Sequence, residues 1–184
     1  FVQARGSASS VGEGTFLDIG NGGAGTGGDI DISLAGGSLT ADILRASADG
    51  EGGYAGANCI GCNADDIPYV AGDGFGGRTS LTLSGGTASI DLLTLAADGL
   101  GGYAGQGGGA PEDIPAVAGD GTGGTVTLIA QAGGLTSQLL TLRADGEGGG
   151  KPFRGQFGSG TGGQGSGGTA RLVMNAGGSA AITA

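Results

Sequence analysis

The chain has 184 residues, 49 of them glycine, and a formal net charge of −10 from 17 acidic and 7 basic side chains. Glycine stands at about four times the ~7% of an ordinary chain, yet 38% hydrophobic residues is more than a disordered polymer carries. The glycines do not fall at every third position, which excludes a collagen helix, and no apolar run reaches the ~18 residues of a membrane-spanning helix; the absence of His and the presence of only two Cys argue against zinc, haem and His-based catalysis, and the acidic balance argues against nucleic acid as a partner.

The opening FVQARG does not read as a signal peptide, because no charged stretch is followed by an apolar one. It reads instead as the end of a repeat unit. Full units follow at residues 25–56, 74–105 and 121–150, and a fourth is cut short after residue 165. Their opening glycine pairs are Gly27–Gly28, Gly76–Gly77, Gly123–Gly124 and Gly167–Gly168. Self-similarity at this period marks a repeat architecture. The chain is therefore read as a single repeat domain with units of about 6–49, 50–98, 99–145 and 146–184.

Each unit has two unlike halves. The first alternates in period two, a strand signature: Ile30, Ile32 and Leu34 in the first unit, Thr79, Leu81 and Leu83 in the second, Val126, Leu128 and Ala130 in the third. After a Gly-Gly turn a second alternating run begins (Leu39, Ala41, Ile43; Ala88, Ile90, Leu92; Leu135, Ser137, Leu139), and then its parity flips to Leu93, Leu95 and Ala97, and to Leu140, Leu142 and Ala144. Adjacent apolar residues cannot both face inward on one straight strand, so each unit is read as three short strands separated by two corners. The second half is a glycine-rich lobe with almost no side-chain alternation, at 6–28, 50–77, 99–124 and 146–168. Its recurrence in register argues for a built element and against a loose loop.

A strand triplet with one apolar face can bury that face only against its own copies. The expected fold is all-β: a parallel β-solenoid of about four coils, with glycine-rich lobes between them and like residues ~4.8 Å apart along the axis. The clearest expected columns are Ile32/Leu81/Leu128/Leu172 and Leu44/Leu93/Leu140. The competing arrangement is a hairpin about each Gly-Gly pair, with Leu34 opposite Leu39 and Ile32 opposite Ala41; the parity flip and the third strand favour the coil. Uncovered strand edges at both ends invite further pairing, so the sequence suggests either a window of a longer protein or a subunit stacking head to tail.

Stacking places Asp49, Asp98 and Asp145 in one column, Asp73 with Asp120, and Asp66 with Asp113. Such carboxylates repel unless solvated or bridged; calcium could bridge them, or Asp-Gly could simply be turn chemistry. Cys59 and Cys62 suit a small local disulfide in an oxidising compartment. Tyr54 and Tyr103, one unit apart, suit an aromatic ladder or a platform for sugars. Arg45 and Arg143 read as solvated strand-face residues, and the basic side chains form no patch. The carboxylate pairs Asp65/Asp66 and Glu112/Asp113 could be offered as acid and base, but they recur with the lobes, so no catalytic residue is expected and the chain is not read as an enzyme. The Thr positions are too dispersed for an ice-binding face.

Runs such as GGTVTLIAQAGG, GGSLTADIL and LTLRADGEGG resemble the glycine-rich repeat regions of bacterial filamentous haemagglutinin-like and autotransporter-type surface adhesins. That resemblance implies a right-handed parallel β-helix, an extracellular or cell-surface location and a part in a filament or adhesin stalk. It also implies an alternative: a surface-displayed module holding calcium or carbohydrate. The long glycine lobes depart from the usual short coil, and glycine's lack of a side chain suggests for them a bundled, polyglycine-like packing.

Overall fold

The computed structural model describes residues 2–3, 6–7, 19–57, 69–104, 116–150 and 161–183. Among these residues every regular element is a strand, and no helix is long and apolar enough to cross a membrane. The fold is a stack of parallel rungs. One sheet runs through Asp29–Leu34, Arg78–Leu83, Thr125–Ala130 and Thr169–Met174. A second runs through Val2–Gln3, Ser38–Ser47, Thr87–Ala96, the pair Gly134–Ser137 and Leu139–Arg143, and Ser179–Ile182. Each strand pairs with its counterpart one repeat away, so Leu81 lies beside both Ile32 and Leu128, and Leu128 beside Leu172. Leu93 is likewise flanked by Leu44 and Leu140. Both expected columns are present, and the hairpin arrangement is not the one adopted.

The columns form the core between the two sheets. Leu81, Leu83, Ile90, Leu93, Leu95, Val126 and Leu128 are fully buried, each such large side chain stabilising the stack by ~1.5–3 kcal/mol. Thr79 is buried among them, and its hydroxyl donates to the Ala96 carbonyl at 2.7 Å, tying the first strand of the rung to the end of the second. Gly37, Gly86 and Gly177 turn the chain between the two strands at φ of 79°, 79° and 94°, a left-handed conformation that a side chain resists.

Two expectations need correction. The second alternating run and the flipped run are one ten-residue strand in the first two units, Ser38–Ser47 and Thr87–Ala96, with no corner that ends the strand. The ladder skips Asp42 and Asp91, and the chain changes face there while its pairing continues on either side; only the third unit is interrupted, at Gln138. The flip also comes one position earlier than expected. Ile43 and Leu139 are 52% and 54% exposed, so the inward set runs from Ile90 directly to Leu93. Two consecutive residues point outward because the skipped position consumes one half-period of the strand.

The larger difference lies in the glycine-rich lobes. Their described parts are laddered. The chain leaves each rung through Gly6–Ser7, Gly50–Glu51, Gly99–Leu100 and Gly146–Glu147, and returns through Gly25–Thr26, Gly74–Phe75, Gly121–Thr122 and Gly165–Ser166. Each set forms its own four-stranded parallel sheet. The two sheets face one another with backbone against backbone: a Cβ added at Gly74 would lie 2.0 Å from the Leu100 carbonyl oxygen, and one at Gly101 would lie 1.9 Å from that of Gly119. Gly99 and Gly101 donate along the axis to the carbonyls of Asp145 and Glu147 (2.9 and 2.8 Å), while Gly102 and Gly119 donate across the arm to those of Gly72 and Gly102 (2.8 and 2.9 Å). The interior of the arm is thus a hydrogen-bonded slab of peptide groups, a regular element in its own right. Farther out, Tyr69–Val70 pairs in parallel with Ala116–Val117, and Ile19–Gly20 pairs antiparallel with Gly56–Ala57.

Candidate functional site

Among the described residues, the outgoing leg carries the most concentrated chemistry. In the middle rung Gly99 and Gly101 turn toward the opposite leg, so Asp98 and Leu100 come to its flank, and one rung away the Tyr54 hydroxyl donates to Glu51 Oε1 at 3.3 Å on the same flank. Stacking repeats this in three columns: Asp49/Asp98/Asp145, Glu51/Leu100/Glu147, and Tyr54/Tyr103. The first two columns, with Arg143, line a shallow groove of about 250 Å³.

The aspartates are not simply stacked like charges. The backbone N–H of Asp98 donates to Asp49 Oδ1 at 3.0 Å, and that of Asp145 donates to Asp98 Oδ1 at 2.9 Å. The returning leg repeats the device: Asp120 N–H donates to Asp73 Oδ1 at 2.8 Å, and Gln164 N–H to Asp120 Oδ1 at 2.7 Å. Asn21 Oδ1 accepts from Val70 N–H at 2.9 Å in the same manner. Each side chain caps a main-chain donor of the next rung, the outgoing aspartates where the arm leaves the core and the returning residues within the arm, ahead of its returning strands. Charge-assisted bonds of this kind are stronger than neutral ones.

The second oxygens are engaged differently at each level. Ser47 Oγ donates to Asp49 Oδ2. Arg143 is an exposed strand-face residue, as expected, and it also pairs with Asp98 Oδ2 and lies 3.9 Å from Asp145 Oδ2. Its guanidinium is pushed above its ordinary range, chiefly by the hydrogen bond to Asp98 and with help from the charges of Asp98, Asp145 and Asp49, against a lowering by burial. Ser47, Ala96 and Arg143 occupy one register position, so a single column supplies a hydroxyl to Asp49 and a cation to Asp98.

The structure brings Asp49, Asp98 and Asp145 to one groove and places Asp73 and Asp120 on the other leg. Among the described residues no three acidic or Cys side chains are grouped so as to hold a metal ion. Tyr54 and Tyr103 stack with ring centroids 5.8 Å apart and planes 19° from parallel. Tyr103 also lies over Gly150, where a Cβ would approach its ring to 3.0 Å. Cys59, Cys62, Asp65, Asp66, Glu112 and Asp113 lie outside the described residues. Sequence reasoning missed the main-chain caps and the pairing of Arg143. The available signal was that the capping position recurs with Asp in both legs, one residue before a glycine.

Asp98 separates the cap from the ion pair. Its side chain is 19% exposed, and Asp98→Ala removes both contacts, with an expected loss of ~1.5–3 kcal/mol. Asp98→Asn keeps an oxygen for the Asp145 N–H and loses only the charge; it is expected to cost less than ~1 kcal/mol. Equilibrium unfolding of the two variants checks the order; equal losses would place the stabilisation in the ion pair. No family model, no curated protein and no solved structure matches the chain.

Proposed function

We propose that the chain is a structural rod, a segment of an extracellular fibre or adhesin stalk of the kind its repeats resemble. The observation that carries this reading is the in-register continuity of all four ladders, core and glycine arms alike, from the first rung to the last. The main-chain hydrogen bonds of these ladders run along one axis, which suits load-bearing along that axis and extension by added rungs. Among the described residues, the most concentrated polar chemistry, the aspartate columns, is spent on joining rung to rung, which fits a scaffold better than a catalyst.

Electron microscopy of the purified chain tests the reading. Filaments with a repeat of ~4.8 Å along the long axis are expected, and chelation should leave the melting temperature unchanged. Monodisperse particles whose melting temperature falls by several degrees on chelation, or rises with added sugar, would instead assign the chain to a calcium- or carbohydrate-holding module.

A further inference from the structure

We propose that the outer face of the second sheet is an interface between two copies of the chain, packed side by side with their axes parallel and related by a two-fold axis along the Ile43/Leu92/Leu139 column. The interface lies on the flank of the stack and goes beyond the rod reading without depending on it. The middle rung is decisive, because Thr87–Ala96 has a neighbouring strand on both sides. Its inward set, Ala88, Ile90, Leu93 and Leu95, is buried. Leu92 is flanked by Ile43 and Leu139 just as Leu93 is flanked by Leu44 and Leu140. Yet Leu93 is fully buried and Leu92 stays partly open to solvent. Stacking therefore leaves this large aliphatic side chain at the outer face, among Ser89, Asp91 and Thr94.

The same register position is aliphatic in all three units, as Ile43, Leu92 and Leu139, whereas the outward columns Thr40/Ser89/Thr136 and Arg45/Thr94/Thr141 are polar throughout. Rung spacing of ~4.8 Å makes the three side chains one continuous stripe. Singly scattered apolar residues are ordinary on a surface, but a contiguous apolar strip with a polar rim marks a place where another surface docks.

The charges beside the stripe say which surface fits. On its N-terminal side stand the skipped positions Asp42 and Asp91, with Gln138 at the interruption of the third unit; on its C-terminal side stand Arg45, Thr94 and Thr141. Among the described residues neither Asp42 nor Arg45 takes part in an ion pair. A two-fold axis along the stripe exchanges its two sides and keeps every rung at its own height. Leu92 then meets Leu92 of the second copy, Arg45 meets Asp42, Thr94 meets Asp91 and Thr141 meets Gln138, each unlike pair being made twice. A two-fold axis across the stripe would run the two stacks in opposite directions and set each column on itself, with Asp91 against Asp91 and Arg45 against Thr141. Of the two arrangements the parallel one joins opposite charges, so the face is complementary to itself and its occupant is a second copy of this chain.

Charge exchange tests the interface. Arg45→Asp and Asp42→Arg each spoil two symmetric contacts, and each is expected to weaken dimerisation, read by sedimentation at low salt, by roughly five- to tenfold. An equimolar mixture of the two should return to within about twofold of the parent, because the introduced carboxylate then faces the introduced guanidinium while the native pair is restored on the other side of the axis. Leu92→Asp sets two carboxylates against each other on the axis and should weaken dimerisation ~30-fold or more. Thr127→Asp, on the outer face of the first sheet and likewise at a partly open position, should stay within about twofold of the parent. Melting curves of the dilute variants verify that the monomers remain folded. A mixture no better than either variant alone, equal effects of Leu92→Asp and Thr127→Asp, or a parent that does not pair would overturn the interface. Electron microscopy separates its failure from that of the rod: single, unpaired filaments would overturn the interface and leave the rod, whereas dimers that Leu92→Asp dissolves, without filaments, would uphold the interface and sink the rod.

Discussion

Alanine in place of Gly101 is expected to cost ~3 kcal/mol or more, a drop of roughly 6–12 °C in melting temperature for a chain of this size. The added Cβ would lie 1.9 Å from the Gly119 carbonyl oxygen and 2.8 Å from the Gly149 nitrogen. Neither atom belongs to a movable side chain. Both are held in the arm's own hydrogen bonds, Gly119 O by Gly149 N–H at 2.8 Å, so relief requires the two legs to separate and several bonds to lengthen together. Gly36→Ala is the matched control. Nothing lies within 4 Å of a Cβ there, and the change is expected to stay within ~0.5 kcal/mol. Thermal unfolding of the pair measures the arm against the turn. Equal effects would mean that the two legs are not in contact.

The second large effect belongs to the core. Leu81 is fully buried between Ile32 and Leu128, and Leu81→Ala should cost about 2–5 kcal/mol, as a leucine deletion does where the surroundings cannot collapse. The rungs above and below fix the height of the gap, since both neighbouring strands are held at ladder spacing along their whole length. Leu139→Ala, at a position 54% exposed, should change stability by less than ~0.5 kcal/mol. Denaturant titration of both variants checks the assignment of faces. A large loss at Leu139 would show that the chain changes face later than described.

Much of the core was legible because its signal lies in side chains. Ile32, Leu81, Leu128 and Leu172 share one offset pattern with their flanking residues, and period two told which of them face inward. The position of the face change was not legible. Ile43 and Leu44 are both apolar, as are Leu92 and Leu93, and composition alone does not say which member of each pair turns outward; the skipped pairing at Asp42 and Asp91 decides it. The strand pairing within the arms was not legible for a different reason. Gly72, Gly74 and Gly76 alternate with Ala71, Asp73 and Phe75, and Gly119, Gly121 and Gly123 do the same one repeat on. This is a strand pattern in which the inward residue is recognised by lacking a side chain, and a search for alternating hydrophobicity passes over it. The aspartate columns were found from their spacing, but their role depends on backbone donors that a sequence does not display. The pairing of Arg143 was not legible because its partners come from its own rung and the one beneath.

The slab of peptide groups inside the arms has a calorimetric consequence. Unfolding a leucine core exposes hydrocarbon to water and raises the heat capacity, whereas exposing amides lowers it. Here both interiors open when the stack comes apart, so their contributions partly cancel. The curve of stability against temperature is then expected to be flatter than that of an ordinary globule of equal length.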